Sequence, residues 1–214
     1  MIAGRGARRA SLAALAMALA ACASSSTPPG GIPTPAAPAP TLSPGAASPV
    51  PLAACRRADV EVALLTTEGA AGSILLAWGV RDTSAQPCTL TGYFGAARVD
   101  SGGHVVVTAE RSTSAGMFGT VPPPHTVTLA PGTAALKPGP QGQGEAYAPV
   151  AGHAYFDIAY GDACNGGSPG AATAWQFIPP DDTGTLVIPD AGESAAVCTP
   201  EVTPVNEQPR PQFP

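Results

Sequence analysis

Short runs in which apolar residues alternate with others fill the chain from Val60 onward, and no run of helical period separates them. Residues 60–64 and 74–80 each carry an apolar side chain at every second position, which is typical of a strand with one buried face. In the second run Gly79 and Arg81 fall on the opposite face, which we expect to be solvated. Because Gly, Pro and Asp separate the runs, the pattern predicts antiparallel strands joined by turns.

The clearest hairpin consists of residues 96–100 and 105–110, which flank the polar loop 101–104 with its two glycines. Further strands are predicted at 126–129, 154–160, 174–178, 186–188 and 202–205, with Phe156 and Ile158 pointing inward. About eight or nine strands without a long helix predict an all-β, immunoglobulin-like antiparallel β-sandwich over residues 55–205. The spacing of cysteines and tryptophan differs from that of true immunoglobulin domains, so the prediction concerns architecture alone. Residues 206–214 are predicted to be a disordered tail.

The first residues have the pattern of an export signal. Arg5, Arg8 and Arg9 precede an apolar run from residue 10 to residue 21, which is too short to span a bilayer. The run ends in Leu19-Ala20-Ala21-Cys22, which resembles the lipobox of bacterial lipoproteins. We therefore predict that residues 1–21 are a cleaved signal peptide and that Cys22 carries the lipid. An ordinary secretory signal is the alternative, and the arginine pair leaves a twin-arginine export route open.

The segment after the predicted cleavage site cannot form a core. Residues 23–54 carry no charged residue and are dense in Pro, Ala, Ser and Thr. Such a composition favours an extended, partly polyproline chain of about 3.1 Å per residue, so it can hold a domain up to about 90 Å from a membrane. We predict that residues 22–54 are a disordered, lipid-anchored tether on the extracytoplasmic face of the cell membrane.

The five cysteines support the same division of the chain. Lipidation of Cys22 accounts for the odd thiol and leaves Cys55, Cys88, Cys164 and Cys198 as an even set in an oxidising compartment. Three pairings are possible, and we favour Cys55–Cys88 with Cys164–Cys198. A zinc site is disfavoured because no two cysteines lie at zinc-knuckle spacing, and neither a metal nor a cofactor is predicted.

The charge balance argues against nucleic acid as a partner. The full chain has 10 Lys and Arg against 15 Asp and Glu, a formal charge of −5. Removing the three arginines of the signal leaves seven basic residues against 15 acidic ones, a charge of −8. With Lys137 as its single lysine, the mature chain lacks the basic surface that a phosphate backbone requires.

From Cys55 to Val205 the chain resembles an actinobacterial lipoprotein family. This family is catalogued as domain of unknown function 4232. The resemblance rests on these motifs: the opening Cys55, Gly69-Ala70-Ala71-Gly72, Cys88-Thr89-Leu90-Thr91-Gly92-Tyr93, Val127-Thr128-Leu129-Ala130-Pro131-Gly132-Thr133-Ala134, Cys164 and Val202-Thr203-Pro204-Val205. Phe94 stands where such proteins usually have proline, and residues 137–152 do not align with the family pattern. The resemblance implies no activity and supplies no functional residues.

Two motifs look catalytic, and neither supports an enzyme. Gly166-Gly167-Ser168-Pro169-Gly170 fits the nucleophile-elbow pattern, but Pro169 lacks the N–H that would bind an oxyanion after Ser168. Asp182-Thr183-Gly184 resembles the aspartic-protease loop, but it follows prolines instead of an apolar strand and has no second copy. His104, His125 and His153 stand singly, which is more typical of solvated loops than of catalysis.

The sequence thus predicts a non-enzymatic binding module of the cell envelope. Its partner is expected to be membrane lipid through Cys22 and, at the domain, a cell-wall polymer, a small ligand or another exported protein. A covert hydrolase using Ser168 or Asp182 is one alternative, and a structural spacer is another. Phe118 and Tyr147 are candidate aromatic contacts that would either line a binding site or cap the core.

Overall fold

The computed structural model describes residues 50–137, 149–161, 172–190 and 197–209, all within a compact unit that begins at Ser48. Cys22, Tyr147, Cys164 and Ser168 lie outside the described residues, as do the predicted signal peptide and the tether up to residue 49. Within the described ranges, no helix has the length and apolar character needed to cross a membrane.

The regular secondary structure of the described residues is almost entirely β-strand, so the predicted all-β class is confirmed. Two short 3-10 helices, Arg57–Asp59 and Gly116–Phe118, interrupt them. The strands are β1 (Val60–Ala70), β2 (Ser73–Asp82), β3 (Cys88–Thr91), β4 (Gly95–Asp100), β5 (Val105–Thr108), β6 (Glu110–Arg111), β7 (Thr126–Leu129), β8 (Ala154–Gly161), β9 (Ala172–Ile178), β10 (Leu186–Pro189) and β11 (Cys198–Val202).

Three sheets share one core. The five-stranded sheet has the order β1-β2-β8-β11-β6, the four-stranded sheet has the order β10-β9-β4-β5, and β3 pairs with β7. All pairs are antiparallel except β11 with β6, which is parallel. The inner faces of the two large sheets meet through aromatic rings, among them Trp78 of β2 against Phe177 of β9 with centroids 4.8 Å apart. This arrangement is a β-sandwich.

The period-two prediction holds on the inner face of β2. Leu76, Trp78 and Val80 are at most 1% exposed and belong to the main core. The β1–β2 hairpin turns through Ala71 and Gly72, whose φ values of 48° and 82° suit the two-residue turn that matches strand twist.

The prediction that Gly79 faces solvent is wrong. A register shift between Leu64 and Thr66 in β1 allows Leu65 to join a second apolar cluster with Leu136 and Tyr155, while Leu64 packs against the main core. Gly79 is buried beneath this cluster, and a Cβ at this position would lie 2.8 Å from methyl carbons of Leu65 and Leu136. The outer face of the sheet is therefore covered here, and glycine provides the space.

The hairpin predicted around loop 101–104 is confirmed as β4 and β5, which pair antiparallel. The strand predicted at 202–205 lies earlier, as β11 at Cys198–Val202, and residues 203–205 follow it as a buried segment. The ordered chain also continues past the predicted boundary at Val205. Asn206 and Tyr155 exchange backbone hydrogen bonds of 2.8 and 2.9 Å, so the start of the predicted tail is part of the fold.

A disulfide joins Cys55 to Cys88, as predicted. It fixes the beginning of the domain to β3, where Cys55 N–H donates to the Thr89 carbonyl at 2.9 Å and Thr89 N–H donates to the Ala53 carbonyl at 2.9 Å. Cys198 is also disulfide-bonded. Its pairing with Cys164 stays a prediction because Cys164 lies outside the described residues.

Candidate functional site

A groove of about 340 Å³ opens beside β8. Three segments line it: residues 120–122 together with His125, residues 155–157 of β8, and residues 206–209. The first segment lies in the connection from the second 3-10 helix to β7, and the third follows β11. We call this cleft the His125–Glu207 groove.

The local sequence explains why the first side of the groove holds its shape. Residues 122–124 are three consecutive prolines, which fix φ and favour an extended backbone up to His125. The connection is fastened to its neighbours by the hydrogen bond from Val121 N–H to the Thr113 carbonyl, at 2.9 Å. On the other side of the groove, the backbone pair between Tyr155 and Asn206 holds the C-terminal segment against β8.

His125 and Glu207 join the two sides. His125 Nε2 lies 2.9 Å from Glu207 Oε2, and Nδ1 lies 3.1 Å from the carbonyl oxygen of Pro123. A neutral imidazole can donate from only one nitrogen, so two facing acceptors favour the doubly protonated ring. The Glu207 carboxylate, with help from the Pro123 carbonyl, raises the pKa of His125 above its ordinary value. His125 in turn holds the pKa of Glu207 below its ordinary value.

The Glu207→Gln substitution is expected to lower the pKa of His125, because it removes the largest cause of the increase.

The imidazolium contributes stability below the ordinary His pKa, and this is lost as pH rises through the raised value. The carboxylate contributes stability above the ordinary Glu pKa, and this is lost as pH falls through the lowered value. The pair therefore stabilises most between about pH 4.5 and 6.5.

An NMR titration of the His125 ring protons measures this change directly. Both side chains are partly exposed, so the pair is expected to add only about 0.5 kcal/mol to the free energy of unfolding between these pH values. Glu110→Gln, an exposed change of the same kind on β6, serves as the control. Equal His125 titration curves for the wild type and Glu207→Gln would contradict the assignment of the pair.

Two buried polar side chains, Asn206 and Asp157, belong to the groove lining. Asn206 is 8% exposed; its Nδ2 donates to the Pro204 carbonyl at 2.7 Å, and its Oδ1 is buried without a hydrogen-bond partner among the described residues. Asp157 is 4% exposed, and its backbone N–H donates to Thr203 Oγ1 at 2.8 Å. The described lining residues include no lysine and no arginine. The described lining therefore offers an anion no lysine or arginine side chain.

The His125 ring is held by acceptors of the protein itself. Both ring nitrogens of His125 are engaged, so in this geometry the ring has no free nitrogen to accept a proton from a substrate. No cysteine or serine is among the described residues that line the groove. The described part of the chain also has no group of three or more His, Cys, Asp or Glu side chains placed to hold a metal ion.

The Asp182 motif has a structural explanation in the turn between β9 and β10. Asp182 Oδ2 accepts the Arg57 backbone N–H at 2.6 Å, and Oδ1 accepts those of Thr183 and Gly184 at 2.7 and 3.1 Å. These bonds, led by the one from Arg57, hold the pKa of Asp182 below its ordinary value. The carboxylate thus ties the start of the domain to this turn and keeps its charge.

The other two histidines and Phe118 lie apart from the groove lining. His104 is in the β4–β5 loop, 3.2 Å from Asp100 Oδ2 through Nδ1. His153 is 3% exposed, its Nε2 lies 2.9 Å from the Ala134 carbonyl oxygen, and burial lowers its pKa. Phe118 is buried against Leu75 and Ala159 of the five-stranded sheet, so it caps the outer face of that sheet.

One of the three segments that line the groove belongs to a part of the chain that a known family covers. Residues 55–138 match the family described as Domain of unknown function (DUF4232). This confirms the resemblance over the segment from Cys55 through β7. The DUF4232 match contains His125 and residues 120–122 but ends before Tyr155 and Glu207. No curated protein and no solved structure matches the chain.

Sequence reasoning did not find this groove. His125 and Glu207 are 82 residues apart, and Glu207 fell within the predicted tail. The one available signal was the run of prolines before His125, which marks a rigid connection without naming its partner.

Proposed function

We propose that this protein is a membrane-anchored, extracytoplasmic lipoprotein whose β-sandwich is a non-enzymatic binding module of the cell envelope. Cys22 carries the lipid, and residues 22–54 separate the domain from the membrane. The partner is a cell-wall polymer or an exported protein. No cofactor is needed, and a mature charge of −8 disfavours nucleic acid.

The His125–Glu207 groove is the observation that carries this proposal. Its ionisable pair joins two chain segments across the opening, which gives the groove a defined shape. Ligand sites are commonly concave and largely preformed, with apolar walls and a few placed polar groups. The groove has this composition, because Val121, Pro122 and Pro209 lie beside Asn206 and Glu207.

Site-specific crosslinking in the native bacterium tests the binding role. A photoreactive amino acid replaces Gln208, an exposed residue on the groove, or Gln86, an exposed glutamine outside its lining. We expect a covalent adduct with a wall fragment or an exported protein from position 208 and none from position 86. Equal yields at both positions, or no adduct at position 208, would count against a binding groove and favour the spacer alternative.

The same cells test the anchor. Intact mass of the mature protein is expected to show acyl chains on Cys22, and a Cys22→Ala variant is expected to leave the membrane fraction. A single myristoyl-length chain binds membranes only marginally, so the stable association expected here requires more than one acyl chain. Unmodified Cys22 in the mature protein would overturn the anchoring.

A further inference from the structure

We propose that His153 is a pH-sensitive contact, which holds residues 130–136 against the outer face of the five-stranded sheet and releases them in acid. These residues follow β7, and Leu136 among them covers Gly79 of β2. His153 does not belong to the described lining of the groove discussed above. The inference therefore does not depend on the proposed binding function, and either one can fail without the other.

Two hydrogen bonds join this segment to the turn before β8 in the described part of the chain. His153 Nε2 lies 2.9 Å from the Ala134 carbonyl oxygen, and Ala130 N–H donates to the Gly152 carbonyl at 3.2 Å. One of the two bonds therefore depends on the position of an imidazole ring, the side chain that titrates closest to neutral pH.

The hydrogen bond of the ring determines where an added proton must go. Because the Ala134 carbonyl only accepts, the neutral ring carries its hydrogen on Nε2 and leaves Nδ1 unprotonated. Nδ1 has no hydrogen-bond partner among the described residues. A second proton would create a charge on a side chain that is 3% exposed, with its new N–H unpaired. Water therefore accommodates the imidazolium better than this position does, and a ring that moves into water loses Ala134.

The described charged groups around the ring supply no excess negative charge to hold an imidazolium. Arg81 of β2 disfavours the charged ring more than Glu61 of β1, its ion-pair partner, favours it. Lys137 lines the same cavity as His153 and is a further cation. Tyr155 also lines this cavity, and burial raises the pKa of its phenol, so the phenol stays neutral in this pH range.

The direction of the pH effect follows from the pKa of His153. Burial is the largest cause that lowers this pKa, and the Ala134 carbonyl is the largest cause that opposes it. The closed form therefore binds a proton less readily than an exposed ring, whose ordinary pKa is 6.5. As the pH falls through 6.5, the open form takes up the proton first, and the effect is complete below the lowered pKa. The His125–Glu207 pair does not explain such a loss, because the pKa of His125 is raised and acid strengthens that pair until Glu207 is protonated.

The segment has a glycine about which it can open, and its packing is incomplete. Gly132, in the turn after β7, is exposed and has a φ of 69°, with open space where a Cβ would be. A cavity of about 240 Å³ is lined by Leu136 of the segment and by Leu65 and Tyr155 of the sheet. Atoms beside a void lack packing partners on one side, so separating these surfaces costs less than opening a filled core. Opening exposes Leu65 and Tyr155 to water.

Hydrogen exchange of the mature full-length protein in detergent measures the opening. After correction for intrinsic rates, protection of the Ala130 amide should be constant above about pH 7 and fall about fivefold by about pH 5. Stopping there keeps the carboxylates ionised. The Cys55 amide, which donates to Thr89 elsewhere in the domain, should keep its protection. Protection of Ala130 that does not change with pH, or an NMR pKa of His153 at or above 6.5, overturns the proposal.

His153→Gln separates titration from structure. The glutamine amide can donate to Ala134 from near the place of Nε2, but it does not titrate. We expect wild-type protection of Ala130 at about pH 7.5 and no fall at about pH 5. His104→Gln, at the exposed histidine of the β4–β5 loop, is the matched control and should keep the full fall. A fall that persists in His153→Gln assigns the effect to another group and overturns the proposal. If His153→Gln does not fold, the wild-type exchange and NMR titration decide the question.

Discussion

Replacing Asp190 with alanine is expected to lower the free energy of unfolding by about 3 to 5 kcal/mol, a large effect for one surface-proximal carboxylate. The reason is Arg98 of β4, whose side chain is fully buried and forms an ion pair with Asp190. Without Asp190, the guanidinium would remain in the interior as an uncompensated charge.

Among the described residues, the surroundings of Arg98 supply little else to compensate its charge. Nη2 also donates to the Ala172 carbonyl at 3.3 Å, and the guanidinium carbon lies 5.1 Å from the Trp175 ring centroid. Nε and Nη1 are buried without hydrogen-bond partners among the described residues. One carbonyl and one ring replace only part of the solvation that the charge loses on folding.

Arg98→Met is the informative companion variant. It removes the buried charge itself, and Asp190, whose side chain is 17% exposed, retains access to water. We therefore expect a smaller loss, about 0 to 2 kcal/mol, and Asp190→Asn should fall between the two. Urea unfolding of the three variants measures these differences. If Arg98→Met destabilised the domain more than Asp190→Ala, the packing of the arginine stem would contribute more to stability than the unpaired charge costs. That result would contradict the prediction.

The sequence predicted the parts of the fold that depend on local pattern. Alternation alone placed Leu76, Trp78 and Val80 on one buried face, because strand side chains alternate regardless of what lies beyond them. The glycines of loop 101–104 similarly located the β4–β5 hairpin, since positive φ is a local requirement, and Gly103 has φ of 79°.

What the sequence missed depends on segments that meet only after folding. Gly79 was expected to face water, but Leu136 arrives from 57 positions later to cover it. Arg98 occupies an inward position of β4, and its burial depends on an ion pair with Asp190, which lies 92 residues away in the sequence. The candidate groove has the same origin, because the partner of His125 lies beyond β11. Period-two patterns locate strands, but they do not show which distant segment packs on the outer face of a sheet.

Removing the Cys55–Cys88 disulfide is expected to destabilise the domain by about 3 to 4 kcal/mol. The bond closes a loop of 33 residues in the sequence, and opening it increases the conformational entropy of the unfolded chain. Both cysteines are buried, at 0% and 5% exposure, so alanine is the appropriate replacement at each position. Urea unfolding of the double variant Cys55→Ala, Cys88→Ala should show a lower midpoint and a steeper dependence on urea.

The folded domain is expected to keep its beginning attached even without the disulfide, because a second set of contacts holds the same segment. Arg57 N–H donates to Asp182, and Arg56 Nη1 donates to the Asp181 carbonyl at 2.6 Å. Hydrogen exchange at Arg57 should therefore stay slow in the double alanine variant and become fast when Asp182→Ala is added. Fast exchange at Arg57 with Asp182 intact would mean that the disulfide alone holds the first residues of the domain in place. A loss of stability below about 1 kcal/mol in the double alanine variant would contradict the entropic effect of the disulfide.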